Sequence, residues 1–144
     1  MLKGVDPMLG PELLAVLASM GHGDEIVLCD ANFPADSVAR STIRGRALRL
    51  DCDALRALKA VLSLLPLDGY EPDPVLTMQV VGDPAAIPEA VAQAEPLFAA
   101  EGFASASLER FVFYERARKA YAVLRTGETR PYGNFILRKG VINP

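Results

Sequence analysis

The chain contains one histidine, His22, held in Met20-Gly21-His22-Gly23-Asp24-Glu25 between two glycines. An imidazole ionises nearer neutrality than any other unperturbed side chain, so a protein that moves protons at pH 7 with a single histidine is expected to use that one. The flanking glycines free the backbone for unusual dihedrals and let a ligand come close. Eight residues further on, past the apolar run Ile26 to Cys29, Asp30 opens Asp30-Ala31-Asn32-Phe33-Pro34.

Several chemistries fail on residue type or order. A phosphate-binding glycine loop follows a strand and opens a helix, whereas here an expected helix precedes Gly21-His22-Gly23 and an expected strand follows it. Zinc needs three or four His, Cys or carboxylate ligands, and this chain offers one histidine and two cysteines separated by 22 residues. No Gly-x-Ser-x-Gly elbow supplies a serine nucleophile for the histidine to serve. Non-covalent proton transfer remains. The C-terminal half adds Arg110-Phe111-Val112-Phe113-Tyr114-Glu115-Arg116, Thr126-Gly127-Glu128 and Pro131-Tyr132-Gly133-Asn134. Sugar sites use such mixtures, because planar polar groups fix hydroxyls while aromatic faces cover the C–H surfaces of the ring.

Together, Met20-Gly21-His22-Gly23-Asp24-Glu25, Asp30-Ala31-Asn32-Phe33-Pro34, Phe113-Tyr114-Glu115-Arg116, Thr126-Gly127-Glu128 and Tyr132-Gly133-Asn134 resemble the L-fucose mutarotase branch of the ribose pyranase and fucose mutarotase family. The resemblance spans nearly the whole chain. It implies a three-layer α/β/α single domain with a mixed sheet, and a mutarotase that interconverts the α and β anomers of L-fucopyranose without cofactor or metal. It also implies His22 as proton donor, with Asp30, Arg110, Tyr132, Gly133 and Asn134 binding the sugar. Arg110 favours the fucose branch, since the ribose branch tends to carry histidine there. Asn32 departs from the histidine of some fucose-branch members. Ring-like homo-oligomers, decamers, are implied too, with sites near subunit contacts and the Tyr132 loop contributed by a neighbour. In the chemistry expected, His22 protonates the ring oxygen, Asp30 orients the sugar or the imidazole, and Tyr132 or a water accepts the anomeric proton.

The elements that must position these residues follow from apolar spacing. Gly10-Pro11-Glu12 opens a helix, with proline at its first position and an acid in the first turn. Leu13, Leu14, Val16, Leu17 and Met20 line one face, and Gly21 and Gly23 stop it. Glu25 to Cys29 reads as a strand buried on both faces. Asn32 to Ser41 reads as a loop, and Thr42 to Leu50 as a weak strand. Asp51 or Asp53 caps a helix carrying Leu55, Leu58, Val61, Leu62 and Leu65 and closed by Pro66. Val75 to Val81 is a strand. A helix from Pro88-Glu89 is expected to kink or break near Pro96 and to end at Gly102. Ser105 to Glu109 follows as a short strand, Phe113 to Lys119 as a short helix, and Tyr121 to Thr126 and Asn134 to Lys139 as strands. Such alternation makes one layered α/β domain covering residues 1–144.

Bulk properties set limits. A chain of 144 residues, 51% hydrophobic and with mean hydropathy +0.20, buries roughly two-thirds of its unfolded surface without staples. A net charge of −3 argues against nucleic acid and anionic membranes as partners. Cys29 and Cys52 lie outside any Cys-x-x-Cys pair, and no signal-peptide core or membrane span is present, so a cytoplasmic setting with reduced thiols is expected. Simpler readings stand beside these. Asp30 also suits a strand end or an Asx-turn, Arg110 a surface ion pair with Glu109 or Glu115, and Tyr132-Gly133-Asn134 plain turn chemistry. Phe111, Phe113 and Tyr114 read as core, and Arg40, Arg44, Arg46 and Arg49 as a solvated or subunit-contact face. A sugar-binding or regulatory module without turnover, and a mutarotase or pyranase acting on another aldose such as ribose, are the alternative functions.

Overall fold

The computed structural model describes residues 1–144. Eleven elements run in the order α1 (Pro11–Ser19), β1 (Glu25–Cys29), α2 (Ala35–Ala39), β2 (Leu48–Leu50), α3 (Ala54–Leu62), β3 (Val75–Met78), α4 (Glu89–Ala100), β4 (Ala106–Leu108), α5 (Arg110–Arg118), β5 (Ala122–Thr126) and β6 (Phe135–Arg138). The strands form one sheet in the order β2-β5-β1-β6-β3-β4. Strands β1, β2 and β5 are mutually parallel, β3 and β4 are parallel, and β6 lies antiparallel to both β1 and β3. Five strands therefore point one way and β6 alone points back.

Strand alternation divides the core in two, because successive side chains face opposite sides of a sheet. Ile26, Leu28, Phe135 and Leu137 pack with α1, α3 and α4, while Val27, Cys29 and Ile136 pack with α2 and α5. The result is the expected three-layer α/β/α domain with a mixed sheet. Its central strand β1 is apolar throughout its buried length, as a strand covered on both faces requires.

Differences from the sequence expectations have local causes. The segment read as a loop after Asn32 contains α2, a helix too short to show a periodic face. The strand expected over Thr42 to Leu50 shrinks to three residues, and the one expected over Val75 to Val81 stops at Met78. Pro96 lies inside α4 without ending it: Pro96 and Ala92, whose carbonyl the proline leaves unpaired, are both exposed, which leaves that carbonyl on the solvent side of the helix. Helix α5 starts three residues early because the Glu109 carboxylate accepts the N–H groups of Phe111 (2.9 Å) and Val112 (3.1 Å), which places Arg110 in its first turn. Asp53 caps α3 by accepting the Arg56 N–H at 2.7 Å. No helix is long and apolar enough to cross a membrane.

Strand direction sorts the loops into two ends. One end collects the C-termini of the five parallel strands and the start of β6: Asp30, Thr126, Arg110 and Asn134. The other collects their N-termini and the finish of β6: His22, Asp68 and Arg138.

Candidate active site

His22 occupies a tight turn between α1 and β1. Asp24 Oδ2 accepts the Gly21 N–H at 2.7 Å, the Asp24 N–H returns to the Gly21 carbonyl at 3.1 Å, and Gly23 takes φ +88°. Lys139 clips this turn to β6, its carbonyl accepting the Gly23 N–H at 2.9 Å and its ammonium donating to the Leu17 and Met20 carbonyls at 2.7 and 2.6 Å. That ammonium satisfies carbonyls which α1 leaves open at its C-terminus.

The imidazole is partly exposed, and its Nε2 lies 3.0 Å from Oδ1 of Asp68, a carboxylate only 1% exposed. The same oxygen accepts the Tyr70 N–H at 2.9 Å, and Oδ2 accepts Arg138 Nε at 2.8 Å. The Tyr70 N–H, followed by Arg138 and His22, holds the Asp68 carboxyl well below the usual carboxylate range despite its burial. An ionised carboxylate only accepts, so Nε2–H is the donor to Asp68, and Nδ1 has no hydrogen-bond partner within the chain.

At the opposite end, Asp30 is 3% exposed. Its Oδ1 accepts the N–H groups of Asn32 (3.0 Å) and Phe33 (2.9 Å), and the Gly133 N–H is also directed at its carboxyl. Burial nevertheless pushes the Asp30 pKa up. Asn134 Oδ1 accepts the Asp30 N–H at 2.9 Å, tying the start of β6 to the end of β1. The Arg110 guanidinium carbon lies 4.7 Å from the Phe111 ring centre and 5.9 Å from that of Tyr114, with its Nε buried and without a hydrogen-bond partner. Tyr114 in turn packs edge-on against Phe33, three residues past Asp30. Tyr132 takes φ +61°, and its hydroxyl accepts the Val81 N–H at 3.2 Å.

Thr126-Gly127-Glu128 frames this end from behind. Thr126 Oγ1 donates to the Cys29 carbonyl at 2.8 Å, and the Glu128 carbonyl accepts the Ala31 N–H at 2.8 Å. The buried Glu128 carboxylate grips Arg130 through Nε and Nη2, both at 2.9 Å, and accepts the Ala54 N–H at 3.1 Å. These bonds, Arg130 first, depress its pKa to about 2. Glycine is favoured at 133, because a Cβ would sit 2.8 Å from Glu128 Cγ and force that side chain to shift. Arg116 forms a two-point pair with Glu25, at 2.7 and 2.9 Å, so two residues of the sequence motifs hold α5 against β1 rather than face a ligand.

Asp30, Arg110, Tyr132, Gly133 and Asn134 thus share one end of the sheet, and His22 stands at the other. The five residues of β1 between them span ~17 Å. Asp30 consequently does not hold the imidazole of its own chain; Asp68 anchors it at Nε2. Asp30 does make the Asx-turn, alongside its bonds to Gly133 and Asn134. Arg110 makes no ion pair with Glu109 or Glu115, and Phe111 is 63% exposed rather than core. Arg44 and Arg46 pair with Glu12, and Arg49 with Asp51. Sequence reasoning missed Asp68, Tyr70 and Arg138. Asp68 is 46 residues from His22 in a proline-rich turn, and only the strand order brings them together.

Known proteins match nearly the whole chain. It is 48% identical to the fucose mutarotase of Homo sapiens, covering 98% of this chain and 94% of that protein. It is 45% identical to the L-fucose mutarotase of Haemophilus influenzae (strain 86-028NP), covering 98% and 97%. The crystal structure of the Streptococcus pneumoniae fucose mutarotase in complex with L-fucose superposes with a TM-score of 0.88 at 40% identity, covering 99% of this chain and all of that one. The RbsD / FucU transport protein family matches residues 3–142, and the chain belongs to it.

Proposed function

We propose that the protein is an L-fucose mutarotase, an isomerase that opens and recloses the pyranose ring by acid–base catalysis. One observation carries the reading: the only imidazole is exposed with one nitrogen tied to a buried, ionised carboxylate and the other free, in a chain similar to enzymes named for fucose mutarotation. With Nε2–H kept on Asp68, His22 in its doubly protonated form delivers the Nδ1 proton to the ring oxygen while the anomeric hydroxyl loses one, and the C1–O5 bond breaks to give the open aldehyde. Rotation about C1–C2 and the reverse proton transfers close the other anomer, so no atom is gained or lost. Asp30, Arg110 and Asn134 hold the sugar hydroxyls, and Tyr132 relays the anomeric proton, alone or through a water. General acid–base assistance of this kind is worth ~10²–10⁴-fold.

A pyranose is too small to bridge the length of β1, so the working site takes its two halves from two copies. The His22 end of one chain meets the Asp30 end of the next. Contact between unlike surfaces generates closed rings when the rotation permits, which supports a homo-oligomer. Exposed apolar side chains flank both ends: Leu2, Tyr70 and Ile142 near His22, and Val81, Ile87, Phe111 and Val112 near Arg110.

Saturation-transfer NMR on L-fucose tests both parts. His22→Ala and Asp30→Asn each abolish enhanced exchange between anomers when expressed alone. Co-assembled in equal amounts, they regain it at about a quarter of the sites, where random pairing joins two intact halves. Full exchange in His22→Ala overturns the mechanism, and co-assembly without recovery overturns the shared site.

A further inference from the structure

The His22 turn presents a mechanical problem. Two exposed glycines flank the residue, and a single side-chain hydrogen bond, from Nε2 to Asp68, holds the ring. One such bond acts as a pivot: it fixes the position of Nε2 and leaves the ring free to swing about it, so Nδ1 is not aimed.

The only aromatic ring packed against the imidazole belongs to Tyr70, whose centre lies 5.2 Å away at an interplanar angle of 61°, an edge-on contact. Tyr70 is 68% exposed, yet its backbone is fastened from several sides. Its N–H ends on Asp68 Oδ1, the same atom that takes His22. Arg138 Nη2 donates to the Glu71 and Pro72 carbonyls at 2.6 and 2.8 Å, while its Nε holds the other Asp68 oxygen. Residues 68–72 therefore form a braced loop with one exposed ring at its apex. Burial within its own chain does not account for that placement, since Tyr70 is mostly exposed there.

We infer that Tyr70 is a positioning residue, a rotational stop that aims Nδ1 of His22 for proton transfer; the inference rests on the mutarotase reading above. The stop is the ring edge, not the hydroxyl, because no hydrogen bond joins the Tyr70 hydroxyl to His22 or Asp68.

The single histidine makes the test clean, because the imidazole carbon-bound protons give one set of NMR signals. Tyr70→Ala is expected to move and broaden those signals in sugar-free protein and to lower kcat for fucose exchange about three- to tenfold, the worth of one aromatic pair, with KM little changed. Tyr70→Phe keeps the wild-type signals and rate. Unmoved imidazole signals in Tyr70→Ala overturn the inference, as does an undiminished kcat or a loss in Tyr70→Phe equal to that of Tyr70→Ala. The thermal midpoint of each variant separates aiming from folding: if Tyr70→Ala loses rate only in proportion to folded protein lost, the inference also fails. An active wild type with an unaffected Tyr70→Ala sinks this inference alone, whereas a wild type that exchanges no fucose sinks the mutarotase reading with it.

Discussion

The two ends of the sheet hold their key groups in opposite ways. At the His22 end an exposed ring hangs from a buried, fully ionised carboxylate that is itself gripped by Arg138. At the other end the carboxylate of Asp30 is buried, ringed by backbone N–H groups and paired with no cation; Asn134 and Gly133 brace it instead. In the mechanism proposed, the proton donor has to reach a substrate and return, which suits a ring pinned at its far nitrogen alone. The proposed sugar cradle has to be ready before the sugar arrives, which suits groups fixed by main-chain bonds and little able to rearrange.

Four substitutions sharpen the contrast. Asp68→Asn removes the charge behind the imidazole, leaves Arg138 with a neutral partner, and permits the amide to present the wrong group to Nε2. Exchange should fall about 10²-fold, as expected for a misplaced proton donor, with fucose contacts at the Asp30 end intact. Steady fucose binding by chemical-shift titration alongside slow exchange supports this division, and an undiminished rate breaks it.

The acid response separates carboxylates by sign. Glu128 and Asp68 have folded pKa values below their ordinary ones, so each contributes stability that is present above the ordinary carboxylate range and is lost as pH falls through the folded value. For Glu128 the window runs from 4.5 down to about 2. Glu128→Gln should cost on the order of 2–3 kcal/mol at pH 7 and flatten the stability profile across that window in urea titrations. Asp30 has the opposite sign: its raised value makes its contribution less favourable as pH rises from 3.8 through the folded value. Asp30→Asn should therefore fold at least as stably as the parent at pH 7. A large loss there would show that the ionised form is an essential brace.

Gly133→Ala carries the smallest effect. The new methyl meets Glu128 Cγ at 2.8 Å, and the Arg130 pair resists its retreat, so a loss of about 1–2 kcal/mol is expected in the same titrations. A neutral result would show a softer loop than the hydrogen bonds suggest.

These contrasts also explain what was legible in the sequence. Strand β1 and helix α1 announce themselves through apolar runs bounded by glycine, proline and aspartate, signals confined to a few neighbouring residues. The Asp30 end was legible as a set because the family resemblance joins Asp30, Arg110 and Tyr132 to Asn134, and the fold brings them to one end. Helix α2 and the start of α5 were not: α2 is five residues long, and α5 is capped by Glu109, a residue type that seldom caps helices. The partnership of His22 with Asp68 left no local trace, since neither residue specifies the other until β6 is inserted between β1 and β3.

That insertion has a consequence of its own. Strand β6 is four residues long; its leading neighbour Asn134 braces Asp30, and its last residue Arg138 braces Asp68. In a ring of copies joined as proposed, each chain serves two sugars, and this short strut, beside β1, is a direct covalent link between its two workplaces. Strain applied at one sugar has a path of a few peptide bonds to the next, so neighbouring sites need not turn over independently.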